Sequence, residues 1–397
     1  MIRPYPWGTR TAIAELQGRP VPAPGPEAEL WMGAHPSAPS VLHRPSPTPA
    51  SPTPSATPVT LDAVIAGDPG RELGAECAAR FGGRLPFLLK VLSAEKALSI
   101  QVHPSRAQAE AGYAAENARG LAPNDPARNY VDDWPKPELL YALTPFEVAA
   151  GLRTPADASA LLRALRVDEL EPLAAALADA VGEDALGAAL ASVLEWPEPR
   201  PLVASVVAAC QRLAASGSPF AAACAAAVRV AADHPGDVGV VALLLMRHEV
   251  LQPGQAVFMP AGGLHAYLHG TGIELLGLLD PAVAVPVLSP RLLADGLATF
   301  DTPAPEFRLY LLDVAAPLAL PGTGPAILFC LDGTCTLRAA SGQELDLARG
   351  DSCFVPFADG SLHAAGPARL VQATPGTPPA PPAQPERALP FARRDVS

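Results

Sequence analysis

Two stretches far apart in the chain carry one pattern. Leu251-x-x-Gly254-x-x-x-Phe258-x-Pro260 recurs, spacing for spacing, as Leu347-x-x-Gly350-x-x-x-Phe354-x-Pro356. Each copy then reaches a Leu-His pair, Leu264-His265 and Leu362-His363. A glycine turn, a short apolar strand and a proline stop are common parts of β structure, so chance recurrence is one reading. A duplicated β-sandwich unit is the other, and it restricts the fold far more. The chain has 397 residues, 49% of them hydrophobic, which is enough to bury more than one core.

Charge and composition narrow the function. A formal net charge of −12 lacks the basic footprint of a general nucleic-acid binder. Only Lys90, Lys96 and Lys136 are lysines; the other 25 basic residues are arginines, a skew that matches the alanine and proline excess of GC-rich coding. The start, Met1 to Gly8, has prolines where a secretory peptide needs an apolar helix. Val238 to Met246 is too short to span a bilayer. Six cysteines without a C-x-x-C pair read as reduced, mostly buried thiols, so no cysteine zinc site is expected. The expectation is a cytoplasmic monomer with neither nucleic-acid nor membrane partners.

Organisation follows the punctuation. Residues 44–60 are a Pro/Ser/Thr run that reads as an exposed loop, and 375–397 as a disordered tail. Residues 86–103 read as β structure. From 154 the pattern turns helical: Thr154 suits a cap and Pro155 the first position, and Leu173/Leu177/Val181 and Leu186/Leu190/Leu194 recur every four residues. The run from Val238 to Leu245 reads as a returning strand, followed by strands at 256–259, 265–268 and 272–276 and by an all-β stretch over 304–373.

Few residues could carry chemistry. In the alternating segment 98–103, Leu98, Ile100 and Val102 fall on one strand face and Ser99, Gln101 and His103 on the other. The polar face either converges on a ligand or is solvated. Lys136-Pro137-Glu138 is either a surface pair or a cation and a carboxylate held at the entrance of a buried strand. His35 reads as packing on Trp31, and Glu95-Lys96 as a surface turn. His43, His234, His248 and His269 read as turn or surface residues.

The segment Gly254-x₅-Pro260-x-Gly262-x-x-His265 resembles the second motif of the cupin superfamily, in which that histidine ligates a metal. The delayed His363 leaves the second copy without a metal in this reading, with His363 structural or on the surface. Further fragments resemble the type I mannose-6-phosphate isomerase (phosphomannose isomerase) family: Tyr5-x-Trp7-Gly8, Glu29-Leu-Trp31-Met-Gly33-x-His35-Pro36, Leu85 to Leu92, Leu98-Ser-Ile-Gln101-Val-His103-Pro, Lys136-Pro-Glu138-Leu and Pro260 to Leu268. The likeness covers most of residues 1–300, and the trailing β region fits it.

The resemblance implies a mainly β protein of two cupin-like (jelly-roll) domains with an inserted α-helical domain. The catalytic domain is expected over 1–153 plus 236–300, the helical insertion over 154–235 and the second cupin-like domain over 301–374. It implies one Zn²⁺ per chain on Gln101, His103, Glu138 and His265. Two neutral donors types and one carboxylate would leave the ion a net charge near +1, a usable Lewis acid. The implied substrate is a sugar phosphate, with mannose 6-phosphate and fructose 6-phosphate interconverted through an enediol. Lys136 matches a lysine implicated in proton handling and Glu274 a pocket carboxylate, both expected to be catalytic with Arg291, and Trp7, Lys90 and Ser99 match the substrate pocket.

Three departures stand out. Pro135 occupies the place of a family histidine assigned to ring opening. Ala284 stands where the family has its active-site arginine, leaving Arg291 as the arginine able to substitute. The family's Asp/Asn-Lys after the His-Pro is Ser105-Arg106 here. These changes leave open an isomerase for another sugar phosphate, or a zinc-binding sugar sensor with impaired catalysis.

Overall fold

The structure is a computed structural model that describes residues 1–43, 59–122, 125, 127–130, 132–133, 136–180, 184–277, 287–322 and 324–376. Most of the Pro-rich run, the tail beyond 376, Pro135 and Ala284 lie outside the described residues. The described strands form two antiparallel sheets. The first holds β1 (Ile2–Arg3), β2 (Glu29–Met32), β3 (Leu88–Ala94), β4 (Gln101–Val102), β5 (Glu138–Ala142), β6 (Phe146–Leu152), β7 (Met246–Leu251), β8 (Ala256–Met259), β9 (Leu264–Leu276) and β10 (Val287–Leu288). The second holds β11 (Arg291–Ala294), β12 (Leu297–Thr299), β13 (Arg308–Val314), β14 (Leu318–Ala319), β15 (Ala326–Ala339), β16 (Glu344–Ala348), β17 (Ser352–Val355), β18 (Leu362–Ala365) and β19 (Ala368–Thr374).

The duplication is visible in the pairing. The order β1-β2-β3-β9-β5 is repeated as β11-β12-β13-β19-β15, and β8 on β5 is matched by β17 on β15. The echoed glycines mark turns that need left-handed backbone: φ is +97° at Gly254 and +87° at Gly350. Gly270 lets β9 run as one strand through both halves of its sheet. A side chain there would meet Phe146 and the Pro145 carbonyl at 2.8 Å.

The two sheets share an apolar seam. Leu89, Val91, Ile273 and Leu275 of the first pack with Leu309, Ile327, Phe329 and Val371 of the second, around Phe300 and Phe307. Each such buried side chain contributes about 1.5–3 kcal/mol. The inward face of the second sheet is also apolar, with Leu312, Leu328, Leu337 and Leu370. The inward face of the first is apolar only in part, through Leu92, Leu140, Phe146 and Val148.

Helices lie between β6 and β7: α1 (Pro155–Leu165), α2 (Glu171–Ala178), α3 (Asp184–Leu194), α4 (Pro199–Ala214), α5 (Ala221–Asp233) and α6 (Gly239–Leu244). Thr154 caps α1 by accepting the Asp157 N–H at 3.1 Å. The expected strand over 238–245 is instead α6. Its run is apolar on every side, so periodicity could not separate a buried helix from a buried strand. Asp237 accepts the Gly239 N–H at 2.7 Å at the start of this turn, and Val240, Val241, Ala242 and Leu244 are buried in the helical core. The β segment 98–103 is also shorter than expected. Only Gln101–Val102 pairs, Val102 is 59% exposed, and Leu98 packs against the first sheet's interior.

Candidate metal centre

β4 lies against β9 with Gln101 directly opposite His265. His103 follows by two residues, on the face that Gln101 uses. Its carbonyl accepts the Gly262 N–H at 2.6 Å, so the turn before His265 holds the segment after Gln101 in place. β5 pairs with β8 and β9 and brings in Glu138, opposite Met259 and Leu276. Glu138 and His265 are 3% and 1% exposed. Gln101, His103 and Glu138 join Lys136, Glu274 and others around a cavity of about 160 Å³.

His103, Glu138 and His265 form a group that could hold a metal ion. His103 Nε2 is 2.9 Å from Glu138 Oε1, and His265 Nε2 is 3.2 Å from Glu138 Oε2. Neither ring nitrogen makes a well-formed hydrogen bond with a described residue, although both are shut off from solvent. Orphaned, buried ring nitrogens whose lone pairs converge with one carboxylate are what a cation would satisfy. One atom each from His103, Glu138 and His265 can be chosen within 4.8 Å of one another. The far nitrogen of His265, Nδ1, lies 3.1 Å from the Gly263 carbonyl, which favours a proton there and leaves Nε2 as the ligand. The Tyr267 hydroxyl donates to Glu138 Oε2 at 2.9 Å.

Charges around the cavity are interlocked. Burial alone would push the Glu138 carboxyl up, but His265 and His103 hold it well below the usual carboxylate range. Burial opposes the charge on Lys90, yet Glu274, Glu29 and Glu138 outweigh it and raise the ammonium. Lys90 Nζ lies 2.6 Å from Glu274 and 3.7 Å from Glu29. Glu274 is pushed up to about 7 by burial, against the pull of Lys90. Lys136 Nζ is 3.2 Å from Asp132.

The structure thus brings Gln101, His103, Glu138, Lys136, Glu274 and Lys90 to one cavity, with His265 in contact with Glu138 behind its wall. Trp7 and Ser99 line an adjoining, outer chamber. Arg291 is not brought to either. It stands on β11 of the second sheet, half-exposed, with its guanidinium bidentate on Asp301 at 2.6 and 2.7 Å. The carboxylate beside it claims its charge, so the structure gives it no path to the reacting atoms.

Three wall residues escaped the sequence reading. Tyr267 lies two residues after His265, and a period of two puts both on one strand face, so the signal was present. His35 lines the cavity while meeting Trp31 edge-on at 5.1 Å, and burial followed by the charge of Lys136 lowers its ring. Glu29 holds Lys90 and the Trp31 indole N–H, the latter at 2.6 Å.

Comparison with known proteins agrees with this picture. Residues 1–155 match the family model "Phosphomannose isomerase type I, catalytic domain", and 297–375 match "Mannose-6-phosphate isomerase, cupin domain". The chain is 32% identical to mannose-6-phosphate isomerase of Escherichia coli (strain K12), over 94% of this chain and 97% of the relative. It is 29% identical to the Rattus norvegicus enzyme of the same name, over 83% and 84%. Among solved structures, it resembles mannose 6-phosphate isomerase bound with zinc and yttrium, with TM-score 0.80 and 29% identity, covering 95% of this chain and 98% of that one. A Salmonella typhimurium phosphomannose isomerase variant matches with TM-score 0.81 and 30% identity, at 95% and 98% coverage.

Proposed function

This chain belongs to the type I mannose-6-phosphate isomerase family, and we propose that it interconverts mannose 6-phosphate and fructose 6-phosphate through an enediol, with one zinc held by Gln101, His103, Glu138 and His265. The observation that carries the proposal is the convergence of buried, orphaned His103 and His265 nitrogens on Glu138. Two imidazoles, one carboxylate and one amide oxygen suit zinc. Bound there, zinc supplies a Lewis acid that draws electron density from substrate oxygens.

The remaining chemistry falls to side chains. Once the sugar ring is open, a base removes the C2 proton. Its electron pair forms the C1–C2 double bond while the C1 oxygen takes up a proton. Loss of the C2 hydroxyl proton and return of a proton to C1 then leave the carbonyl at C2. Glu274, with a carboxyl near 7, can accept and return a proton at neutral pH. Lys136 is the second proton-handling group. Lys90 supports both tasks by holding Glu274 in place and keeping positive charge beside the developing enediolate. Trp7 and Ser99 contact the part of the sugar that extends outward.

One observation favours a second reading. Arg291 is committed to Asp301, so the cleft gains no arginine from it. That favours turnover retuned to a different sugar phosphate. A coupled assay on mannose 6-phosphate, with and without chelator and alongside metal analysis, tests both readings. Zinc-dependent turnover supports the proposal, chelator-insensitive turnover refutes the zinc role, and zinc without turnover of mannose 6-phosphate transfers support to the second reading.

A further inference from the structure

The metal cavity opens into a larger chamber of about 600 Å³. Trp31, Lys90, Leu98 and Gln101 belong to the walls of both, so one elongated ligand can occupy the two together. The outer chamber has an aromatic wall, with Tyr5 and Trp7 stacked at 5.7 Å. It also has a contribution from the helical insertion: Asp233 and His234, at the end of α5, form part of its rim. Across from them stands Lys96, which had read as a residue of a plain surface turn. Its Nζ is 3.2 Å from Asp233, and its side chain is 53% exposed.

We infer that Lys96 recognises the phosphoryl group of the substrate in this outer chamber, with Asp233 as its partner when no substrate is present. The inference rests on the proposed hexose-phosphate reading. An aldose–ketose exchange at C1 and C2 fixes one end of the sugar at the metal cavity, so the phosphate on C6 points away from it. The inner cations are poorly placed to receive a dianion. Lys90 is buried between Glu274 and Glu29, and drawing it away would strand two carboxylates. Lys136 is held by Asp132. The Lys96–Asp233 pair is solvated, and such pairs are weakly held. A phosphate carries about −1.5 to −2 against the single charge of Asp233, so it competes well for the same ammonium. The Ser99 hydroxyl lines the same chamber and can donate to a phosphate oxygen.

The test uses the zinc-loaded full chain, mannose 6-phosphate as substrate and inorganic phosphate as competing anion. Lys96→Gln is expected to raise KM by about tenfold and weaken phosphate inhibition by a similar factor, the usual worth of a charge-assisted contact. Its kcat should stay within about twofold, because Lys96 is remote from the proton transfers. Lys96→Arg should restore most of the loss. Asp233→Asn should tighten phosphate inhibition by about two- to threefold by releasing the ammonium. Unchanged KM and phosphate inhibition in Lys96→Gln overturn the inference while leaving the isomerase reading intact, as does a fall in kcat alone. Wild-type protein that neither turns over nor binds mannose 6-phosphate, the latter read by calorimetry, overturns the isomerase reading and the inference together.

Discussion

The two sheets are one scaffold with opposite interiors. Where β4 sets Gln101 opposite His265, β14 sets Leu318 opposite Ala364. Two residues beyond each, His103 of the first sheet has Leu320 as its counterpart, buried in the apolar core. Glu138, opposite Met259, corresponds to Ala326, opposite Val355. Glu274, opposite Lys90, corresponds to Gln372, opposite Tyr310. Gln372 also donates its amide to the Pro321 carbonyl at 2.8 Å. The same β pairing therefore accepts either a packed core or an ionic cavity, and a handful of inward positions decides which. The ionic version leaves buried nitrogens without partners, and an ion is what repairs that.

Substitutions at the ligand positions should break the contrast most sharply. His265→Ala is expected to lose the zinc and lower kcat/KM by at least about 10³-fold. His363→Ala should keep both, because His363 faces outward beside exposed Ala319 and Arg338. Metal content by plasma mass spectrometry and a coupled assay check the pair. Equal loss in both variants would contradict a single site.

Glu274→Gln copies the second sheet's Gln372 into the first. Zinc should remain while kcat falls by about 10²–10³-fold, as expected for a lost proton-transfer group. The pH profile sharpens this further. Proton abstraction needs the ionised carboxylate, so activity should fall as pH drops through a limb at or below about 7, the position set by burial before a cation adds its pull. That limb should be missing from the residual activity of Glu274→Gln.

The reverse graft tests the second interior. Ala326→Glu puts a carboxylate where Leu318, Leu320 and Ala364 offer no ligand. It should bind no zinc and should destabilise the protein by about 3 kcal/mol, read as a lowered Tm. The smallest effect belongs to Arg291→Ala. Removing a surface pair with Asp301 should change kcat by less than about threefold and leave the unfolding midpoint in place. A large loss of kcat would return Arg291 to the reaction.

Much of the site was legible in the linear chain because strands declare their faces. Gln101 and His103 share one face by spacing alone, and so do His265 and Tyr267. The echoed glycine and proline positions marked the duplicated turns. His363, already read as structural or on the surface, owes its outward face to its register: it lies one residue before inward Ala364, and one residue reverses the face. What stayed hidden depends on partners that are remote in sequence. Lys96 gained its place at the cleft only when α5 brought Asp233 to it. The apolar run 239–244 carried no period able to separate helix from strand, and packing within the helical block decided it. Arg291 lay within reach in sequence terms, but Asp301 claimed its charge.

An anomalous difference map at the zinc edge, from crystals of the zinc-loaded protein, addresses the contrast between the two interiors directly. One peak per chain is expected, bounded by Gln101, His103, Glu138 and His265, with none inside the second sheet. A peak elsewhere, or no density among those four side chains, would contradict the account.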